Sequence, residues 1–174
     1  MSPAPLRVTF VCSGNICRSP MGEVILRSLL DAEGLGEQVR VDSAGTGGWH
    51  VGDGADPRTV TTLARHGYDG EPHRAQQFGG DWFAGRDLVM AADHGHVRQL
   101  RELAETEADR EKVHLMREFD PDAVAAGTLE VDDPWFGDET DFERCFTEVH
   151  AVCRGLVAHL RSTVAGRDGA QSQD

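Results

Sequence analysis

Cys12 and Arg18 stand with five residues between them in the segment Val11-Cys-Ser-Gly-Asn-Ile-Cys-Arg-Ser-Pro20. Where a strand turns into a helix, successive backbone N–H groups converge on one spot and make an anion nest. An arginine at the helix start adds a fork that matches a pair of phosphate oxygens. A thiol in that positive field is favoured as its thiolate, and a thiolate beneath a cradled phosphate is placed for in-line attack on phosphorus. Gly14 and Asn15 are residue types that accept the tight or left-handed backbone such a cradle needs, and Ser19 can offer its hydroxyl to the sulfur. The predicted phosphate-binding loop is therefore Ser13, Gly14, Asn15, Ile16, Cys17, Arg18 and Ser19. The plainer alternative makes Cys12 a buried strand residue and Arg18 a surface charge. The other common phosphate cradle, G-x-x-x-x-G-K-[ST], is absent, which argues against a nucleotide triphosphatase.

The loop is credible only if a strand and a helix flank it. Leu6–Cys12 reads as a buried β-strand. A helix beginning near Ser19-Pro20 carries Met21, Ile25 and Leu29 at four-residue spacing and stops near Gly34 or Gly36. Residues 39–43 form a second strand followed by a glycine-rich turn, and Asp56-Pro57 opens a helix that runs to Gly67. Residues 87–91 are a third strand, Asp93 to about Ala108 a polar helix, and 113–116 a fourth strand. The stretch from Arg117 to Gly137 has no clear period, and a loop that long is often functional. In the last helix, capped by Asp138, Phe142, Phe146, Val149, Cys153, Leu156 and Leu160 follow a 4-3-4-3-4 spacing and form one face. Alternating strands and helices predict an α/β fold: a doubly wound, four-stranded parallel sheet with helices on both faces. Ligands bind such sheets outside the carboxyl ends of the strands, where Cys12 falls. Residues 6–165 read as a single domain, with 1–5 and 166–174 as flexible tails.

The chain of 174 residues suffices for one such domain. Its 39% hydrophobic and 27% charged residues are a globular balance. The formal charge of −13 makes it a poor partner for nucleic acid, whose binding relies on cations meeting phosphates. It also weakly disfavours very acidic substrates, with Arg18 and either Arg58 or Arg74 supplying positive charge locally. No apolar run approaches roughly 18 residues, so no membrane span is expected, and no signal-peptide pattern opens the chain. A cytoplasmic location follows as an expectation, although export without a signal peptide stays open. The four cysteines then point to catalysis, metal binding or packing before a disulfide framework. Cys145 and Cys153 on the last helix read as packing residues. Zinc binding by Cys12 and Cys17 lacks a nearby pair to complete its ligand set, and His94 and His96 read as solvated.

The loop V-C-S-G-N-I-C-R-S-P resembles the signature of the low-molecular-weight protein tyrosine phosphatases, in their bacterial, actinobacterial-like form. Asp42-Ser-Ala-Gly-Thr46, Gly48-Trp-His50, His73-Arg-Ala75 and Asp133-Pro-Trp135 resemble that family's other landmarks in the same order. The resemblance implies that Cys12 is the nucleophile forming a phosphocysteine intermediate, that Arg18 holds the phosphoryl oxygens, and that Asp133 protonates the leaving phenol and later activates water. By residue type alone an acid such as Asp133 on a loop is more often just a solvated carboxylate than a general acid, and Asp132 beside it is expected to act on it by like-charge repulsion. The resemblance further implies that Asn15, Ser19, Ser43 and His73 support the loop. It also implies that Ile16, Trp49, Trp135 and Phe136 wall a slot deep enough for a phenyl ring, although such residues are as often core. No metal or other cofactor is implied. The expected partners are a phosphotyrosine protein as substrate and inorganic phosphate as product.

Three rival readings share the loop. Arsenate reductases of this fold need further cysteines after the third strand, and residues 93–113 hold none. Protein arginine phosphatases typically have Thr where Ile16 stands. The third is a non-catalytic module, phosphotyrosine-binding or redox-sensing; a dead phosphatase would be expected to lack Cys12, Arg18 or Asp133, and all three are present. Cys17 is either a buried small residue or the partner of Cys12 in a reversible, protective disulfide. The only tyrosine, Tyr68, lies away from the acid loop, so phosphorylation there is not available.

Overall fold

The structure is a computed structural model and describes residues 2–171. Strand β1 (Leu6–Cys12) lies at the middle of a four-stranded sheet with β2 (Val39–Gly45), β3 (Leu88–Ala91) and β4 (Val113–Leu115), in the order β2-β1-β3-β4. Every pairing is parallel, with Leu6 opposite Val39, Val8 opposite Leu88 and Val89 opposite Val113. From β1 the chain winds outward to β2, then crosses back to β3 on the other side. The direction of winding thus reverses at the carboxyl end of β1, the usual ligand position in a doubly wound sheet.

Side chains alternate along β1 because the strand period is two. Val8, Phe10 and Cys12 face a core shared with helices α1 (Arg18–Ala32) and α6 (Glu139–Gln171). Val11 faces a second core with Val89, Ala91, Phe83 and Leu100, the last of these on helix α3 (His94–Leu103). Helix α2 (Pro57–Arg65) packs on the α1–α6 side through Leu63. The α6 stripe predicted from spacing, Phe142 to Leu160, is wholly buried. Gly22 lets α1 rest directly on β1, since a Cβ there would lie 2.4 Å from the Phe10 ring.

Some predicted boundaries shift. The polar helix from Asp93 to Ala108 is broken: α3 ends at Leu103 and a separate turn, α4 (Glu107–Arg110), follows. The break falls where the Thr106 hydroxyl accepts the Asp109 N–H at 3.1 Å, a local bond that competes with helix continuation. The fourth strand stops at Leu115, and the unpatterned stretch holds a 3₁₀ turn at Met116–Phe119, helix α5 (Pro121–Ala126) and a 3₁₀ turn at Pro134–Phe136. These pieces are too short to show a period. Helix α6 continues to Gln171, through much of the segment predicted as a C-terminal tail, and Arg167 donates to the Ala4 carbonyl at 3.1 Å. The rest of those tails, Met1 and 172–174, lies outside the described residues. Among the described residues no helix is long and apolar enough to cross a membrane.

Candidate active site

The loop from Cys12 to Arg18 turns directly from β1 into α1, and its carbonyl groups are tied away from its centre. The Cys12 and Ser13 carbonyls accept the N–H groups of Thr46 and Gly47 at 2.9 and 3.0 Å. The Ile16 carbonyl accepts the Asp56 N–H at 2.9 Å and the Thr59 hydroxyl at 3.1 Å. The Asn15 carbonyl bonds His73 Nε2 at 2.7 Å. A trans peptide points its N–H opposite its C=O. Pinning these carbonyls outward therefore turns the N–H groups of Ser13, Gly14, Ile16 and Cys17 inward, which is how a nest for an anion is built.

Asn15, at φ 60°, makes the left-handed turn; Gly14 has an ordinary φ. The Asn15 amide group donates to Ser19 Oγ at 2.8 Å and Ser43 Oγ at 2.9 Å, and its carbonyl oxygen accepts the Gln76 N–H at 2.9 Å. Ser19 Oγ in turn lies 2.9 Å from Cys12 Sγ, and the Ser19 N–H reaches the same sulfur at 3.4 Å. His73 is held from its other side by Glu23, 3.4 Å from Nδ1. The four residues predicted as loop support, Asn15, Ser19, Ser43 and His73, thus form one connected network ending on the sulfur. Gln76 and Glu23 extend it; nothing in their sequence positions marked them.

Arg18 is buried, and one guanidinium nitrogen is fully used: Nη1 donates to Asp93 Oδ2 and to the Val131 carbonyl, each at 2.9 Å. Nη2 lies 3.6 Å from Asp133 Oδ2. Burial works against the Arg18 charge, but the facing Cys12, Asp133 and Asp93 outweigh it and hold the group above its ordinary value. Sequence reasoning missed Asp93 and Val131, which come from the ends of β3 and of the loop before the acid. It also missed His96, read as solvated. Its ring is buried with Nε2 2.8 Å from Ser13 Oγ. Its Nδ1 is 3.2 Å from Asp93 Oδ1 but without hydrogen-bond geometry, and burial with help from Arg18 lowers its pKa to about 4. His96 is therefore neutral at physiological pH despite the carboxylate beside it.

Cys12, Ser13, Ile16, Arg18, Trp49, Asp133 and Trp135 line a cleft of about 190 Å³, together with Gly14, Cys17 and His50. Asp133 caps the 3₁₀ turn, its Oδ1 accepting the Trp135 N–H at 3.1 Å. Of the predicted slot residues, Ile16, Trp49 and Trp135 wall this cleft. Phe136 does not: it is 86% exposed and stands edge-on to Trp135 with ring centroids 4.7 Å apart. Neighbours on a 3₁₀ turn point about 120° apart, so both cannot face one slot. Asp132 likewise turns away from Asp133, into a separate cleft with Arg117, Glu130 and Glu148. Arg58 and Arg74 do not line the phosphate cleft; Arg74 Nη1 bonds the Glu71 and His73 carbonyls. Cys17 borders the cleft, but burial pushes its thiol up to about 12 and keeps it protonated. Cys145 and Cys153 are enclosed, their thiols raised by burial.

Comparison with known proteins agrees with this geometry. A family model described as low molecular weight phosphotyrosine protein phosphatase matches residues 7–165. The chain is 55% identical to a low molecular weight protein-tyrosine-phosphatase of Streptomyces coelicolor, covering 92% of this chain and 97% of that one. It is 34% identical to the low molecular weight phosphotyrosine protein phosphatase of Homo sapiens, over 86% and 92% of the two chains. A crystal structure of a protein tyrosine phosphatase from Entamoeba histolytica with Hepes in the active site superposes with a TM-score of 0.84 at 29% identity, covering 91% of this chain and 98% of that one. With a family model matching nearly the whole chain and relatives of this identity and coverage, the chain belongs to the low molecular weight phosphotyrosine protein phosphatase family, a family of hydrolases.

Proposed function

We propose that this enzyme hydrolyses phosphotyrosine in proteins through a phosphocysteine intermediate, with Cys12 as nucleophile, Arg18 and the loop amides as the phosphate site, and Asp133 as general acid and base. The observation that carries this reading is the Ser19–Cys12 contact inside the amide nest, with Arg18 and Asp133 across the same cleft. The thiolate of Cys12 attacks phosphorus while the bond to the phenolic oxygen breaks and Asp133 gives that oxygen its proton. In the second step Asp133 takes a proton from water as the water oxygen bonds phosphorus and the S–P bond breaks. Inorganic phosphate leaves, and the thiolate and the carboxylic acid are restored.

The loose transition state of phosphoryl transfer asks mainly for positioning and for groups that meet charge on the equatorial oxygens. The amides of the loop supply one set. Because Nη1 of Arg18 is committed to Asp93 and Val131, the Nε–Nη2 edge is the one presented to phosphoryl oxygens, as a fork. Ile16, Trp49 and Trp135 give the cleft apolar walls suited to a phenyl ring. All four cysteines are free thiols, which supports a cytoplasmic setting.

The test is kcat/KM at mildly acidic pH on phosphotyrosine, phosphoserine and phosphoarginine peptides, with Cys12→Ser as control. The expected result is a strong preference for phosphotyrosine that the substitution abolishes. Preference for phosphoarginine would move the substrate assignment to arginine, and binding without turnover would remove the catalytic one.

A further inference from the structure

The 3₁₀ turn that carries Asp133 is too short to hold itself in place. Its backbone contributes one closing bond, Gly137 N–H to Pro134 carbonyl at 2.9 Å, and Asp133 contributes its own cap. Elements with so few internal bonds open easily unless something outside clamps them. On the upstream side the clamp is clear: Val131 gives its N–H to the Ala92 carbonyl at 2.8 Å and its carbonyl to Arg18. On the downstream side the Trp135 and Gly137 carbonyls both accept from Arg58 Nη1, at 3.0 and 3.5 Å.

Arg58 is itself locked. Its Nε and Nη2 grip the two oxygens of Asp56 at 3.0 and 2.8 Å, a paired fork. Its guanidinium lies 4.6 Å over the Phe142 ring on α6. Asp56 is nearly buried, and its N–H is the group that holds the Ile16 carbonyl of the phosphate loop. A continuous path therefore runs from the phosphate loop through Asp56 and Arg58 to the carbonyls just past Asp133. The plain reading of Arg58 is an ion pair at a helix start, of little worth at a half-exposed position. That reading accounts for the bonds to Asp56 and leaves the two bonds to the acid turn without a role.

We propose that Arg58 is a positioning residue for the general acid, fixing the turn that carries Asp133 relative to the loop that holds the phosphate. The inference rests on the assignment of Asp133 as the acid. Proton donation needs the carboxyl within hydrogen-bond reach of the leaving oxygen, and a displacement on the order of 1 Å is enough to cost about a hundredfold. Only leaving groups that need the proton feel such a displacement.

The experiment is kcat/KM across aryl phosphates, from p-nitrophenyl phosphate, with a good leaving group, to phosphotyrosine, with a poor one. The variants are Arg58→Met, Arg58→Lys, Asp133→Asn and the double variant Asp133→Asn with Arg58→Lys. Arg58→Met leaves the Asp56 carboxylate unpaired and is exposed to misfolding. Arg58→Lys keeps a cation beside Asp56, but one ammonium cannot reach both Asp56 and the turn carbonyls, so it decides the matter if Arg58→Met fails to fold. Expected for Arg58→Lys is a loss of about tenfold or more on phosphotyrosine and less than about threefold on p-nitrophenyl phosphate, part of the 10²–10⁴ that general acid catalysis supplies. The double variant should be no slower on phosphotyrosine than Asp133→Asn alone, because two residues acting through one proton do not add. Equal losses of Arg58→Lys on both substrates, or full additivity, would overturn the proposal while leaving Asp133 as the acid. If Asp133→Asn itself shows no dependence on the leaving group, the acid assignment fails and the proposal falls with it.

Discussion

Asn15 is the one non-glycine residue at positive φ among the described residues, and its side chain makes three hydrogen bonds from that position. An asparagine tolerates the left-handed region better than other side chains and also brings donors and an acceptor. One residue thereby both bends the loop and wires it to Ser19, Ser43 and Gln76. At the same scale, His96 gives the site a pH-dependent support. Its pKa is lowered from 6.5 to about 4, burial being the first cause and Arg18 adding to it, while Asp93 and Asp133 oppose. Between those values the unfolded chain binds a proton that the folded one refuses, so stability falls as pH drops through that window. A shift of that size corresponds to a loss of about 3 kcal/mol by pH 4. Urea unfolding from pH 7 to 4.5 should show wild type losing stability more steeply than His96→Gln. Equal slopes would mean that the ring is protonated in the fold.

At the scale of elements, the decisive feature is how tightly the end of β2 lies against the phosphate loop. A Cβ on Gly45 would stand 2.6 Å from the Ser13 carbonyl oxygen and 2.9 Å from that of Gly47. Both obstacles are backbone, so the loop itself would have to move. A Cβ on Gly14 would instead meet the His50 ring at 3.0 Å, and a side chain at the cleft mouth can swing aside. Gly45→Ala is therefore expected to lower kcat/KM on phosphotyrosine by at least about tenfold, given the sensitivity of transition-state geometry to small displacements. Gly14→Ala should cost clearly less. Parallel kinetics on the two variants check this; a Gly45→Ala enzyme with wild-type kcat/KM would show that the loop is not held by that contact.

For the whole molecule, the charge of −13 is a field that every substrate must cross. The cations near the site, Arg18, Arg58 and Arg74, are already counted in that sum, which stays strongly negative at long range. Repulsion of an acidic phosphopeptide should therefore dominate encounter at low salt, where the screening length is about 30 Å, and fade at physiological salt, where it is about 8 Å. Measured from 0.01 to 0.15 M salt, approximate values that bracket this change in screening, kcat/KM should rise for phosphotyrosine peptides flanked by Asp and Glu and fall for those flanked by Lys and Arg. An acidic peptide that slows as salt is added would point to a local cationic docking site instead.

The sequence by itself determined the sheet, the α6 stripe and the position of Cys12, because these rest on local periodicity and on the chemistry of one short loop. It also pointed to Arg18 and, through resemblance, to Asp133 and the four residues Asn15, Ser19, Ser43 and His73, which the structure brings together at one loop. What only the tertiary structure decided are the contacts made by residues distant in the chain. Asp93 and Val131 hold Arg18, His96 holds Ser13, and Arg58 joins the acid turn to Asp56. None carries a pattern of its own: an aspartate before a helix reads as a cap, which Asp93 also is, and a histidine on a polar helix reads as solvated. The same limit placed Phe136 in the slot and Asp132 beside the acid, since adjacency along the chain says nothing of which way a side chain turns. Those directions are set by a 3₁₀ turn whose place is fixed by Ala92, Arg18 and Arg58, contacts that exist only once the sheet and helices have packed.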